Sequence, residues 1–224
     1  MEKLDWSNFT KAKYGALGYC IGGLAQEKNV VINGMPDIVN FDDMKHLLSS
    51  PAVSGTTALC HIVGVTPEAP TLEEALGHRK AEEEIIVGEK EIDETWDKLS
   101  TASSSEVDIV CLGCPHCSIQ ELREIALLLK DKKVTDSVSL WIATSEQTCA
   151  LARLMGYVDI IEKAGGVLTD TCLGAMGVIG SLMGAKVIAT NSARAAYFIA
   201  LSSEIIYGTV KDCLDSAITG NWRA

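Results

Sequence analysis

The sequence predicts an α/β fold with a mainly parallel sheet and flanking helices. Three observations carry this. Short apolar runs of strand length alternate with stretches of helical period. Capping boxes open two of the helical stretches, Thr71 with Glu74 and Ser118 with Glu121. Hydrophobic residues make up 47% of the chain and charged residues 22%, a globular balance that excludes disorder for its bulk.

Each element follows from local pattern. Asn29–Ile32 reads as a short strand, and Phe41–Leu48 as a helix with Asp42 and Asp43 in its first turn. Ala58–Val63 is a buried-strand run, followed by a capped helix over Thr71–Glu84. Val107–Leu112 is a second buried strand. The helix after Ser118 carries Ile119, Leu122, Ile125, Ala126 and Leu129 at helical spacing, with Cys117 at its start. Val138–Ile142 is a strand and Ser145–Met155 a helix ended by Gly156. Lys186–Ala189 is a strand, and Ser192–Ala200 and Asp212–Thr219 are helices. Tyr14–Tyr19 with Gly22 and Gly23 reads as a Gly-rich, phosphate-cradling loop that matches no established fingerprint. The small polar run Ser100–Ser105 marks a possible lobe boundary near 100–105. The 224 residues suffice for one large domain or two lobes.

Charge and cysteine usage narrow the function. A net charge of −11 argues against nucleic acid, because phosphate contacts need clustered Lys and Arg. The Glu73–Asp97 region, rich in acids, reads as solvated surface, as do His46 and His78. The opening residues lack the apolar core of a signal peptide. The uncharged, Gly-rich run Thr171–Ala185 is too short to span a bilayer. The expectation is a cytoplasmic chain with no membrane partner. Its eight cysteines then read as core thiols, metal ligands or catalysts rather than disulfides.

Ligands of open α/β sheets bind outside the carboxyl ends of the strands, and several motifs fall there. Cys111-Leu112-Gly113-Cys114-Pro115-His116-Cys117 follows a buried strand. A helix start nearby favours a thiolate at Cys114, and His116 is a possible acid, base or ligand. The alternative is a strand-end thiol buried as a small hydrophobe. The spacing resembles part of a ferredoxin run, but Glu121 stands where the fourth cysteine would be. Four N/S donors within seven residues is tight for tetrahedral zinc at Cys111, Cys114, His116 and Cys117. Thr169-Asp170-Thr171-Cys172 places a second polar-flanked cysteine outside an apolar segment. Asn191 or Ser192 can cap the following helix, and Arg194 can clamp a carboxylate or phosphate. Thr66 and Glu68 sit on a Pro-stiffened loop, where Glu68 can act as acid, base or hydrogen-bond acceptor. Cys20, Cys60, Cys149 and Cys213 read as core or helix-face thiols.

Cys-Pro-His after a buried strand, Asp-Thr-Cys and Thr-Asn-Ser-Ala-Arg, in this order, resemble the aconitase X family. The loop Val63–Pro70, the stretch Tyr14–Tyr19 and the ending Ala217–Trp222 are similar to it as well. The resemblance runs through residues 1–224 and is to the C-terminal part of a large catalytic subunit. It implies aconitase-like layered lobes and a hydro-lyase whose iron–sulfur cluster, of the 4Fe–4S or 2Fe–2S type, is held by three cysteines. Cys114 and Cys172 match two of these metal ligands. The implied substrate is a small hydroxy acid of the phosphomevalonate or hydroxyproline type. Asn191, Ser192 and Arg194 would hold its anion, and His116, Glu68 and Thr66 would form the catalytic set. Implied partners are an N-terminal catalytic segment and a small swivelling subunit. The alternative is a non-catalytic subunit or binding module that keeps the fold without the chemistry. The Gly-rich run Leu173–Gly184 is more apolar than the resemblance implies, and reads as a lid or a partner-facing surface.

Overall fold

The computed structural model describes residues 4–36 and 40–223. The chain forms two compact units, Met1–Asp97 and Lys98–Ala224.

In the first unit, Thr10 caps α1 (Lys11–Ala25) by accepting the Lys13 amide. The Tyr14–Tyr19 stretch is therefore a mostly buried helix and not a phosphate loop. Its glycines serve close packing. A Cβ on Gly18 would lie 2.0 Å from the Leu47 carbonyl oxygen, on α2 (Phe41–Ser49). A Cβ on Gly55, just past α3 (Pro51–Ser54), would lie 1.8 Å from the Gly22 carbonyl oxygen. The strands β1 (Val30–Ile32) and β2 (Cys60–Ile62) pair in parallel, Val30 with Cys60 and Ile32 with Ile62. His46 is buried at 3% exposure, contrary to the surface position expected for it.

The helix expected over Thr71–Glu84 is one turn long, α4 (Leu72–Ala75). Thr71 does cap it, but Gly77 and His78 take left-handed φ values of 61° and 57°, which stop a right-handed helix. Irregular chain follows, exposed through Ile86 and buried at Val87 and Gly88, until α5 (Glu89–Leu99).

The second unit is a doubly wound sheet. Its elements in order are β3 (Ile109–Cys117), α6 (Ile119–Leu129), β4 (Ser139–Thr144), α7 (Glu146–Leu154), α8 (Tyr157–Ala164) and β5 (Gly166–Thr169). After a 3-10 turn at Leu173–Ala175 come α9 (Met176–Leu182), β6 (Val187–Thr190), α10 (Ala193–Ile199), β7 (Glu204–Tyr207) and α11 (Val210–Thr219). The five strands run parallel in the order β5-β4-β3-β6-β7. Alternation sends Val110, Leu112, Leu140 and Ile142 into a core with Leu122, Ile125, Leu129, Val158, Ile161 and Leu214 from the helices. Ile109 and Ile188 face the other way, where a Cβ on Gly180 of α9 would lie 3.1 Å from each. Burying one such Leu or Ile contributes about 1.5–3 kcal/mol. Cys117 ends β3 rather than starting a helix; Ser118 is the N-cap, in a full capping box with Glu121. The run 173–184 folds as the 3-10 turn and α9, with Leu173 and Met176 buried and Val178, Leu182 and Met183 exposed.

Candidate functional site

The chain leaves β3 for β4 and β5 on one side, and returns to β6 and β7 on the other. The switch point is therefore the crevice between the carboxyl ends of β3 and β6, where doubly wound sheets bind ligands.

The end of β3 is irregular. Leu112 pairs with Ile142, and Cys117 pairs with Thr144. Five steps along β3 thus oppose two along β4, which loops Gly113–His116 out of the ladder. Bulges of this kind re-aim side chains beside active sites. Gly113 makes the loop possible: its φ is 101°, and a Cβ there would stand 2.2 Å from the Ala143 carbonyl oxygen. The Thr144 hydroxyl donates to the Cys117 carbonyl at 2.7 Å and fixes the far end. The Cys114–Pro115 peptide is cis.

Cys114 meets three of the other singled-out residues. It is 8% exposed, and burial pushes its thiol pKa up. A hydrogen bond with the Ser192 side chain and the charge of Arg194 oppose that shift, while the neighbouring Cys172 thiol adds to it. Cys172 is exposed and precedes the 3-10 turn after β5. Three segments, the ends of β3, β5 and β6, thus bring Cys114, Cys172, Ser192 and Arg194 together. The Ser192 Oγ also accepts the Ala195 amide at 3.0 Å and so caps α10. The Arg194 guanidinium lies 5.5 Å from the Phe198 ring centroid, a cation–π contact that restrains it. Asn191 is 3% exposed, and its Oδ1 is buried without a hydrogen-bond donor. Such an orphaned acceptor costs about 1–3 kcal/mol, which a ligand donor would relieve.

The other cysteines of the β3 run do not join this group. Cys111 is wholly buried, and its thiol pKa is raised by that burial and by Cys114. Cys117 packs into the hydrophobic core. His116 is exposed at the end of β3. Among the described residues, no group of three His, Cys, Asp or Glu side chains converges to hold a metal ion. Cys114 and Cys172 thus offer two thiol donors, one fewer than the three cysteines that the resemblance implies, with the Arg194 cation opposing the rise that burial gives the Cys114 pKa.

Thr66 and Glu68 belong to the first unit. The Thr66 hydroxyl accepts the Ile62 amide and donates to the Ile62 carbonyl, each at 3.1 Å. The Gly64 amide reaches the Ala69 carbonyl at 2.9 Å, so the loop is tied across its base. Glu68 projects from it, exposed. The link from Ser192 to Cys114 was not foreseen, because no local pattern signals a contact between residues so far apart in the chain.

Residues 107–219 match the aconitase X third domain, and residues 2–97 match the second domain. The chain belongs to the aconitase X family. It is 39% identical over 222 residues to the phosphomevalonate dehydratase large subunit of Methanocaldococcus jannaschii, covering 93% of this chain and 51% of that one. Identity to the cis-3-hydroxy-L-proline dehydratase of Hypocrea jecorina is 34% over 213 residues, covering 92% and 36%. The crystal structure of Thermococcus kodakaraensis aconitase X in its holo form superposes with a TM-score of 0.78 at 26% identity, covering 96% of this chain and 53% of that one. This aconitase X chain thus spans about half the length of the phosphomevalonate dehydratase large subunit it matches. Among its described residues, no helix is long and apolar enough to cross a membrane.

Proposed function

We propose that this chain is part of an iron–sulfur-dependent hydro-lyase that dehydrates a small hydroxy acid of the phosphomevalonate or hydroxyproline type. The reading is supported by relatives named as dehydratases of such compounds. The observation that carries it is the meeting of Cys114, Cys172, Ser192 and Arg194 at the switch point. In this reading the Cys114 and Cys172 sulfurs hold the cluster, and the third ligand comes from an N-terminal catalytic segment. When bound, the cluster supplies a Lewis-acidic iron that stabilises the departing hydroxide.

The chain's own residues do the rest. Arg194 clamps a substrate carboxylate, bidentate and held in place by Phe198. Asn191 accepts a hydrogen bond from the substrate through its orphaned Oδ1. Ser192 secures the same turn from within, on Cys114 and Ala195. His116 in the second unit and Glu68 in the first are each a candidate acid or base for the dehydration, as the family resemblance implies. Thr66 positions Glu68 by tying the loop to Ile62. A small swivelling subunit closes the site. The cytoplasm suits this chemistry, because its reducing poise keeps all eight cysteines as the free thiols found here.

The test is iron and sulfide content, with absorbance spectra, after anaerobic reconstitution of the wild type and Cys114→Ser. The reconstitution should also be done with the part of the M. jannaschii subunit that lies outside the matched region. Cluster is expected in the wild type and lost in Cys114→Ser. Full cluster and full dehydratase activity in the variant would sink the assignment.

A further inference from the structure

A second cavity, of about 400 Å³, opens at the carboxyl ends of β4 and β5. It shares no residue with the group around Cys114. One stripe of α7 lines it, with Glu146, Cys149 and Arg153 at spacings of three and four. Leu168, Thr169 and Asp170, from the end of β5, form the opposite wall.

The charges of this wall have no partner among the described residues. Glu146, Arg153 and Asp170 are exposed, and no ion pair or side-chain hydrogen bond engages any of them among the described residues. Geometry explains part of this. Glu146 and Arg153 stand seven positions apart on α7, about 10 Å along the axis, too far for a close pair without distortion. One cation and two carboxylates therefore face a single small cavity with nothing to neutralise them. A lone anion there meets two carboxylates, and a lone cation meets Arg153. A molecule that carries both charges a few ångströms apart satisfies both signs. Leu168 and Cys149 add an apolar surface for a short carbon skeleton. The volume suits a ligand of amino-acid size.

We propose that this cavity is a second small-molecule site, which binds a small amino or imino acid as its zwitterion. Arg153 takes the carboxylate, and Asp170 with Glu146 takes the ammonium. The site is separate from the switch-point crevice, and its occupancy does not depend on a cluster.

The experiment is a ¹H–¹⁵N NMR titration of the full chain with L-proline and two isosteres. Cyclopentanecarboxylate keeps the anion alone, and pyrrolidine keeps the cation alone. L-Proline should give saturable shifts at amides of α7 and of residues 168–170, binding about tenfold or more tighter than either isostere. Arg153→Gln should lower L-proline to the level of pyrrolidine, and Asp170→Asn should weaken it towards that of cyclopentanecarboxylate. Both side chains are exposed, and the spectra themselves report whether each variant is folded. Cys114→Ser should leave L-proline binding unchanged. Absence of saturable shifts at the cavity overturns the proposal. So does equal or tighter binding of cyclopentanecarboxylate or of pyrrolidine, or binding indifferent to Arg153→Gln. A loss of L-proline binding in Cys114→Ser would merge the two sites and overturn their separation.

Discussion

Burial decides the chemistry of several single thiols. The Cys60 thiol, on β2, is pushed up by burial to a pKa of about 12, against about 8.5 in an unfolded chain. The sign follows from proton binding. Between those values the unfolded thiol has lost its proton and the folded one keeps it, so stability falls as pH rises through the window. The limiting slope for one group is about 1.4 kcal/mol per pH unit. Cys60→Ala should flatten the alkaline limb of a stability-against-pH curve by up to that amount between about pH 8.5 and 12, with no such pH-dependent difference below about pH 8. Urea melts across the range check it; parallel curves for the two proteins would contradict the burial argument.

The elements that local chemistry dictates were legible, and those that tertiary packing dictates were not. The Ser118–Glu121 capping box could be read directly because both partners lie within one turn, and the structure has it complete. Ser118→Ala should cost about 1 kcal/mol, measured as a lowered urea midpoint with an unchanged m-value. A loss under about 0.3 kcal/mol would mean that water replaces the cap. Helix α1 was misread because Gly15, Gly18, Gly22 and Gly23 depress helix propensity. Contact with Leu47 and Gly55, far along the sequence, overrides that penalty. Strand β5 was missed because it opens on Gly166 directly after Gly165, a pair that reads as a turn, and β7 because it opens on the charged Glu204 directly after Ser202 and Ser203. Helix α8 follows a left-handed Gly156 that reads as an end, not as a new beginning. The candidate site follows the same rule. Cys114 at a strand end and Ser192 at a helix start were visible separately, but their hydrogen bond is set by the pairing of β3 with β6.

At the scale of the molecule, the chain is two units with very different sheets, a two-stranded pair and a five-stranded doubly wound sheet. The irregular stretch after α4 is exposed, carries Glu82, Glu83 and Glu84, and lacks helix or strand. Backbone of this kind is where proteases cut first. Limited digestion with a Glu-specific protease should therefore cleave within residues 82–84 first and leave the segment 98–224 whole. Mass spectrometry of the early fragments checks this. First cuts at Glu121 or Glu124 on α6 would show that the large sheet opens more readily than its packing implies.

The bulge at the end of β3 also has a consequence in time. Cys114 leaves the ribosome 58 residues ahead of Cys172 and 73 ahead of the start of β6. At about 5–20 residues per second, the first thiol waits several seconds for its neighbours. During that interval it has neither Ser192 nor Arg194 beside it, and it competes for oxidants and stray metal like any unfolded cysteine. The surroundings that Ser192 and Arg194 give Cys114 are thus completed only after β6 has been made and paired, and how long the thiol stays without them depends on how fast translation closes the gap.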